Sequence, residues 1–313
     1  MNTQVKAAPE HLLMLNWFEL EETRALSVLE EMQAALKLID EKLSPRRVHE
    51  VRVVIRRWYS VWDILKVDNW RDHRYDKKVG KPLAKLNKAL GRLRDLDVNI
   101  ELATAFHAPT VLLTHWRRLR NKRRRKVAEK LASLKAKRIG KELAEHLSRR
   151  AYEIERLLIP LSEDEERSAT ANHTLSPLAK SSYHHLAAYL ERCEEEARVM
   201  ASQHLSYEEL HELRLIIKRW RYLLAEFFGL TNLELVKVQQ LLGKHHDLVR
   251  LREEIENFEK KQNSHLSGDE KKKLKQTTSR ITLELARLDD VIEKLKPELP
   301  YGLRPYRLSQ LIG

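Results

Sequence analysis

The chain carries VHEVRVVIRRW at residues 48–58 and LHELRLIIKRW at residues 210–220, and these two stretches match at most positions in identity or type. Neither stretch holds a glycine or proline, and apolar residues recur at spacings of three and four. That spacing is the period of an amphipathic helix. The sequence therefore predicts two related helices, one in each half of its 313 residues.

A second pair of stretches repeats in the same order. LGRLRDL at residues 90–96 matches LGKHHDL at residues 242–248, and each follows its half's first motif. Two matches in the same order indicate an internal duplication. We therefore expect two helical bundles related by a pseudo-two-fold axis.

The rest of the chain predicts the same fold class. Eight glycines and nine prolines amount to about half the usual share of these residues, and no alternating strand pattern bounded by turn residues occurs. We predict an all-α protein, with a helix from Lys77 to Ala105 that is interrupted near Gly91. The predicted divisions are an N-terminal tail (1–23), a first half (24–160), a linker (161–176), a second half (177–296) and a C-terminal tail (297–313).

Each repeated helix presents a row of basic side chains. Positions 0, +3, +7 and +10 of a helix fall within an arc of about 80°. In the first half they are His49, Arg52, Arg56 and Tyr59, and in the second half they are His211, Arg214, Lys218 and Arg221. Like charges at this spacing repel one another, and Arg and Lys are donors suited to phosphate oxygens. The doubled row therefore favours a bound oxyanion over a solvated charged face.

Two further stretches are strongly basic. Eight of the twelve residues from His115 to Lys126 are Lys or Arg, and no acid lies between Lys77 and Arg94. A charge run alone is usually a solvated face. Here these runs predict a secondary basic surface, which would widen the anion site or bind nucleic acid. Its predicted members are Lys81, Lys85, Lys88, Arg117, Arg120 and Arg124.

Composition narrows the class of protein. Lys and Arg number 59 against 46 Asp and Glu, a net charge of +13, which favours an anionic partner. Cys193 is the one cysteine, so disulfides within the chain and thiolate zinc cages are excluded. No stretch predicts a signal peptide or a membrane span. We expect a cytoplasmic protein of unknown oligomeric state, without a cofactor or a metal.

The repeated His-x-x-Arg row, followed each time by a Leu-Gly-x-x-x-Asp-Leu segment, resembles the CHAD family (conserved histidine α-helical domain) over roughly residues 24–296. The resemblance implies two related four-helix bundles around a basic central groove or pore. It implies binding of inorganic polyphosphate and, for some members, association with polyphosphate granules. The binding residues that it implies are His49, Arg52, Arg56, Arg57, His211, Arg214, Lys218, Arg219 and Arg221.

The sequence departs from the family in two respects. It also contains one residue, Tyr222, that could serve either as a hydrogen-bond donor or in packing. Tyr59 stands where an Arg is common, so the first half would offer one donor fewer. Some members are fused to a triphosphate-tunnel domain with a Glu-x-Glu-x-Lys motif, and this sequence lacks that motif.

Three other interpretations compete with polyphosphate binding. His246-Asp247 invites comparison with metal-dependent phosphohydrolases, but its further ligands (His211, Asp289 or Asp290) have no diagnostic spacing. Nucleic acid would bind the 115–126 helix through phosphates, although Trp58, Trp62 and Trp220 lie on apolar stripes and predict core packing instead of base stacking. A purely structural scaffold would not need the doubled row. We therefore predict a binding module without catalytic residues.

The predicted site also has a pH dependence. Neighbouring cations should lower the pKa of His49 and His211, and bound phosphate should raise it again. We expect polyphosphate binding to take up protons.

Overall fold

A computed structural model describes residues 10–41, 43–65, 76–134, 139–149 and 177–301, and every regular element in these ranges is helical. The first-half helices are α1 (Glu10–Glu41), α2 (Pro45–Leu65), α3 (Lys81–Ala105), α4 (Thr110–Leu134) and α5 (139–149). The second-half helices are α6 (Pro177–Ala201), α7 (Tyr207–Phe228), α8 (Leu233–Gln262) and α9 (Gly268–Leu295). A π-helical turn (Asp76–Gly80) leads into α3, and a 3₁₀ turn (Lys296–Glu298) follows α9. The all-α prediction is confirmed.

Local sequence sets the helix ends. Ser206 begins α7 with a capping box, in which its hydroxyl accepts from the Glu209 backbone N–H and the Glu209 carboxylate accepts from the Ser206 N–H. Gly229 ends α7 with a φ of 62°, a left-handed conformation that favours glycine. The predicted interruption of α3 at Gly91 is wrong, because α3 runs unbroken through that residue.

Helix α1 begins earlier than the sequence predicts. It starts at Glu10, so residues 10–23 are helical where we predicted a tail. Trp17 accounts for the extension, because its ring is fully buried against Tyr183 and Phe227 and its indole N–H donates to Ser182 at 3.1 Å. All three partners lie in the second half, so the start of the chain fastens the two halves together.

The two halves use the same packing order. In the first half α1 packs on α2, α2 on α3 and α3 on α4, and in the second half α6 packs on α7, α7 on α8 and α8 on α9. Corresponding helices also meet across the halves, since α1 contacts α6, α2 contacts α7 and α3 contacts α8. This packing accords with the duplication in the sequence. The closed four-helix form of each half stays a prediction.

A single apolar core runs through both halves. Trp58, Trp62 and Trp220 are buried in it, as their apolar stripes predict, and so is Cys193. The predicted linker (161–176) lies outside the described residues, and so do residues 302–313 of the predicted C-terminal tail. None of the described helices has an apolar stretch long enough to span a bilayer.

Candidate anion-binding site

A cleft of about 890 Å³ opens where α2 and α3 of the first half face α7 and α8 of the second. Both predicted rows line it. His49, Arg52 and Arg56 come from α2, and His211, Arg214 and Lys218 come from α7. The side chains that the sequence places on two separate helices thus share one cavity.

On the first-half wall, hydrogen bonds to backbone carbonyls hold the guanidinium groups. Arg52 Nη1 donates to the Asn87 carbonyl on α3 at 2.8 Å, and Arg56 Nε donates to the Arg52 carbonyl at 3.0 Å. Neither contact neutralises the positive charge of the guanidinium groups, because a carbonyl oxygen carries no formal charge. The remaining N–H groups of these side chains are the donors that an anion in the cleft would meet.

On the second-half wall, aromatic side chains stack beside the cationic row. The His211 and His246 rings stack with centroids 4.3 Å apart, and the Tyr207 hydroxyl lies 2.9 Å from His246 Nδ1. His211 Nδ1 and Arg214 Nε are buried, and neither has a hydrogen-bond partner within the described part of the chain. The buried Arg214 Nε–H is a donor that is costly to leave without a partner unless a ligand accepts from it, and His211 Nδ1 is a second such donor when that nitrogen carries a proton.

The two repeated motifs meet in the structure. A Cβ built at Gly91 would lie only 2.4 Å from Arg52 Nη1, so this glycine gives Arg52 room to lie against α3. Gly243 faces Arg214 in the same way, with more space, because a Cβ there would be 3.6 Å from Arg214 Nε. The glycine of each Leu-Gly segment thus faces the first arginine of its own half's row.

The cleft has an excess of positive charge. Eight Lys or Arg side chains line it against three aspartates (Asp63, Asp95 and Asp247), together with three histidines. Arg250 Nη1 approaches Asp95 at 4.0 Å, which ties α8 to α3 across the cleft. Like charges confined in one cavity create a positive potential that an anion would relieve.

Burial and neighbouring positive charges lower the pKa values of the lysine and the histidines that line the cleft. Burial first, and then the nearby Arg56 and Arg214, lower the pKa of Lys218 from its ordinary 10.5 to about 7. Burial also lowers the pKa of His49 and of His211, with smaller contributions from neighbouring arginines. The direction agrees with the sequence prediction, but burial is a larger cause than the cations. Burial and His211 lower the pKa of His246 to about 3, so its imidazole is neutral.

The chain is similar to known proteins in both sequence and fold. The family model of the CHAD domain matches residues 23–256. The chain belongs to the CHAD domain family. The crystal structure of the CHAD domain from the plant Ricinus communis is similar at 18% identity and a TM-score of 0.62, covering 91% of this chain and 92% of that chain. PptA from Streptomyces chartreusis is similar at 16% identity and a TM-score of 0.59, covering 89% of this chain and 98% of that one. No curated protein matches the sequence.

Four other predicted site residues lie outside the main cleft. Arg57 is held in ion pairs with Glu31 and Glu226, and Arg221 donates to Gln239 at 2.8 Å. Arg219 and the buried Tyr222 line a smaller pocket beside the cleft. For Arg57 and Arg221 the structure shows partners in the fold that the row pattern did not reveal.

The predicted secondary surface divides in two. Lys88 lines the cleft, whereas Lys81 and Lys85 are exposed on α3 and do not line it. On α4, Arg120 pairs with the buried Asp97, and Arg117 and Arg124 are exposed. Arg123 Nη1 reaches the Arg92 carbonyl at 3.2 Å, so α4 adjoins the α3 wall of the cleft.

Sequence reasoning missed several residues of the cleft. Asn87 and Arg250 line it and belong to neither row. Arg92 and Arg94 line it as part of the basic stretch from Lys77 to Arg94, and His246 lines it although the sequence suggests it only as a metal ligand. Arg94 and His246 could have been found from the duplication, since both lie just before the Asp of the Leu-Gly segment.

Of the ligands suggested for a metal-dependent phosphohydrolase, His211, His246 and Asp247 line the cleft, but Asp289 does not join them. Asp289 Oδ1 instead lies 2.9 Å from His245 Nε2, and these two side chains line a separate pocket. Within the described ranges, no group of three or more His, Cys, Asp or Glu side chains is placed to hold a metal ion.

Proposed function

We propose that this protein binds inorganic polyphosphate in the cleft between its halves and has no catalytic role. The observation that carries the proposal is the convergence of both His/Arg/Lys rows on one cavity, where the buried Arg214 Nε and His211 Nδ1 have no partner within the described residues. Membership of the CHAD domain family supports it, since the family is linked to polyphosphate binding in general.

The shape and charge of the cleft suit a linear polyanion. Its cations come from both walls, with Arg52 and Arg56 on α2 facing Arg214 and Lys218 on α7. A chain of phosphates passing between these walls would neutralise successive charges and release its own counterions. Binding should therefore weaken as the salt concentration rises.

The side chains of the cleft fit binding better than catalysis. Arg, Lys and His donate hydrogen bonds to oxyanions. Burial raises the pKa of Asp247, and nearby cations including Arg214 oppose that rise. We assign two of the three cleft aspartates, Asp95 and Asp247, to balancing and positioning the arginines around them. Binding of this kind would also hold the protein on polyphosphate granules.

Nucleic acid is the second candidate ligand, and the exposed face of α4 favours it. Arg117, Arg124 and Arg125 are exposed there and have no ion pair with any described residue. Phosphate contacts from such a face would bind DNA or RNA without sequence preference. Arg117, Arg124 and Arg125 do not line the cleft, so their reversal tests this surface with the cleft residues unchanged.

The test compares three charge-reversed variants. Arg214→Glu with Lys218→Glu should abolish most polyphosphate binding and leave the helix content unchanged by circular dichroism. Lys271→Glu with Lys275→Glu on α9 changes the net charge equally at the same spacing and should cost little. Arg124→Glu with Arg125→Glu tests α4 with the same change of charge, at exposed residues that do not line the cleft. Equal losses in the α4 and cleft variants would show that the cleft is not the principal site.

A further inference from the structure

A smaller pocket of about 270 Å³ adjoins the cleft at the contact between α2, α6 and α7. Arg56, Tyr59 and Lys218 line both cavities, so the pocket opens onto the cationic rows. Its other walls are mainly aromatic and aliphatic, unlike those of the cleft. The residues that line only the pocket are Ser60, Ile64, Tyr189, Arg219, Tyr222 and Leu223, whereas Asp63 and Leu215 also line both cavities.

The corresponding place in the other half is occupied by an ion-pair network. In the register that pairs His49 with His211, Arg57 corresponds to Arg219 and Glu226 to Ile64. Arg57 is bound there by Glu226 of α7 and Glu31 of α1. Near Arg219, the position that corresponds to Glu226 holds the aliphatic Ile64, so no carboxylate comes from that position. Helix α6 contributes Tyr189 to the same pocket. The residues that line the pocket therefore differ from those at the corresponding place around Arg57.

The pocket contains an unused hydrogen-bond donor. The Tyr59 hydroxyl is buried and has no hydrogen-bond partner among the described residues. Burial, and then the nearby Asp63, raise the pKa of Tyr59 to about 12, so its hydroxyl keeps its proton at neutral pH. A buried hydroxyl without a partner destabilises the free protein, and a ligand acceptor would relieve that cost.

Size and lining define the group that would fit. The volume lies just below the range of about 300–1,000 Å³ typical of pockets for whole ligands, so the pocket would hold one ring-sized part of a larger molecule. Tyr189 and Tyr222 line the pocket with aromatic rings, the Tyr222 ring being largely buried beneath Arg221, and Tyr59 offers a donor. Planar heteroaromatic rings with acceptor atoms suit such walls. The rest of the ligand would lie beside Lys218 and Arg56 and should be anionic.

We propose that the pocket binds the base of a nucleoside polyphosphate whose phosphates lie in the cleft between Arg56 and Lys218. The phosphate part of this inference rests on the proposed function, and the base part rests on the pocket alone. The protein would then recognise phosphate chains of two kinds, with and without a terminal nucleoside.

The experiment measures affinities for adenosine triphosphate and inorganic tripolyphosphate by calorimetry. Ser60→Tyr places in the pocket the side chain that the second half carries at that register, Tyr222. Thr282→Tyr is the matched control. The Ser60 and Thr282 hydroxyls each donate to the backbone carbonyl four residues earlier, and Thr282 is exposed on α9, away from the pocket. We expect Ser60→Tyr to weaken adenosine triphosphate binding at least about tenfold, a loss typical of base stacking. Tripolyphosphate binding and the control should change less than about twofold.

A second variant keeps the shape of the pocket. Tyr59→Phe removes only the hydroxyl and should weaken adenosine triphosphate binding about fivefold, the effect of one hydrogen bond. Because Tyr59 also lines the cleft, tripolyphosphate binding should weaken too, but by less. If both ligands weaken equally, or if neither variant affects the nucleotide selectively, the pocket does not bind the base. If wild-type protein binds adenosine triphosphate through the pocket but not tripolyphosphate or polyphosphate, the proposed function fails instead. If it binds none of the three, both proposals fail.

Discussion

Lys218 is the residue whose protonation the cleft controls most strongly near neutral pH. Burial and the surrounding arginines lower its pKa to about 7. A bound polyanion would supply the opposite charge and restore the protonated form. Proton uptake on binding should therefore involve this lysine as well as His49 and His211.

Replacing Lys218 tests this assignment. The unfolded chain binds a proton at this amine up to about pH 10.5, whereas the folded chain releases it near pH 7. This lysine therefore makes wild-type stability rise with pH through that window. We expect Lys218→Met to be more stable than wild type at pH 7, with the difference shrinking toward pH 10. Thermal unfolding at several pH values measures it.

The control for this series is Lys85→Met, at an exposed lysine of α3 that does not line the cleft. It should show no such trend with pH. A stability difference between Lys218→Met and wild type that stays constant from pH 7 to pH 10 would contradict the assignment.

Gly91 and Gly243 offer a matched pair of residues at the same place in the duplication. Alanine at Gly91 would displace the Arg52 guanidinium, because its Cβ would lie 2.4 Å from Nη1, whereas alanine at Gly243 meets Arg214 at an ordinary 3.6 Å. We expect Gly91→Ala to weaken polyphosphate binding about three- to tenfold, the loss of one charged contact. Gly243→Ala should change it less than about twofold.

Thermal unfolding should show both alanine variants as stable as wild type or slightly more so. Alanine favours a helix interior by about 1 kcal/mol over glycine, and the Arg52 side chain has room to adapt at its flexible end. Equal binding losses in the two variants would show that the close approach of Arg52 to Gly91 is unimportant.

At the scale of the helices, the sequence predicts those whose positions follow from the local spacing of apolar residues. The spacing of Val48, Val51 and Ile55 predicted α2, which the structure shows from Pro45 to Leu65. The start of α1 was not predictable in this way. Trp17 has its partners more than 160 residues away, and no local signal indicates them.

The difference between local pattern and contacts distant in the sequence also explains which site residues could be predicted. The duplication predicted that His49, Arg52 and Arg56 act with His211, Arg214 and Lys218, and the structure brings all six to one cleft. Arg57 lies in the same basic stretch, yet its acid partner Glu226 is 169 residues away. Contacts between helices decide which cations of a basic stretch remain available, and one sequence does not contain that information.

At the scale of the whole molecule, the cleft depends on how the two halves meet. Trp17 fastens α1 to α6 and α7, Arg57 bridges α1, α2 and α7, and Arg250 approaches Asp95 across the cleft. Each of these contacts joins the first half to the second. The relative position of the halves, and therefore the width of the cleft, is fixed by side chains outside the two rows.

Recognition of a bare phosphate chain by the cleft can be measured by competition between polyanions. Labelled long-chain polyphosphate is bound to the protein near physiological salt, about 0.15 M. Unlabelled polyphosphate, duplex DNA and single-stranded RNA are then added at equal phosphate concentration. We predict that polyphosphate displaces the label at far lower concentration than either nucleic acid. Equal displacement by DNA or RNA would contradict the account and identify the protein as a general polyanion binder.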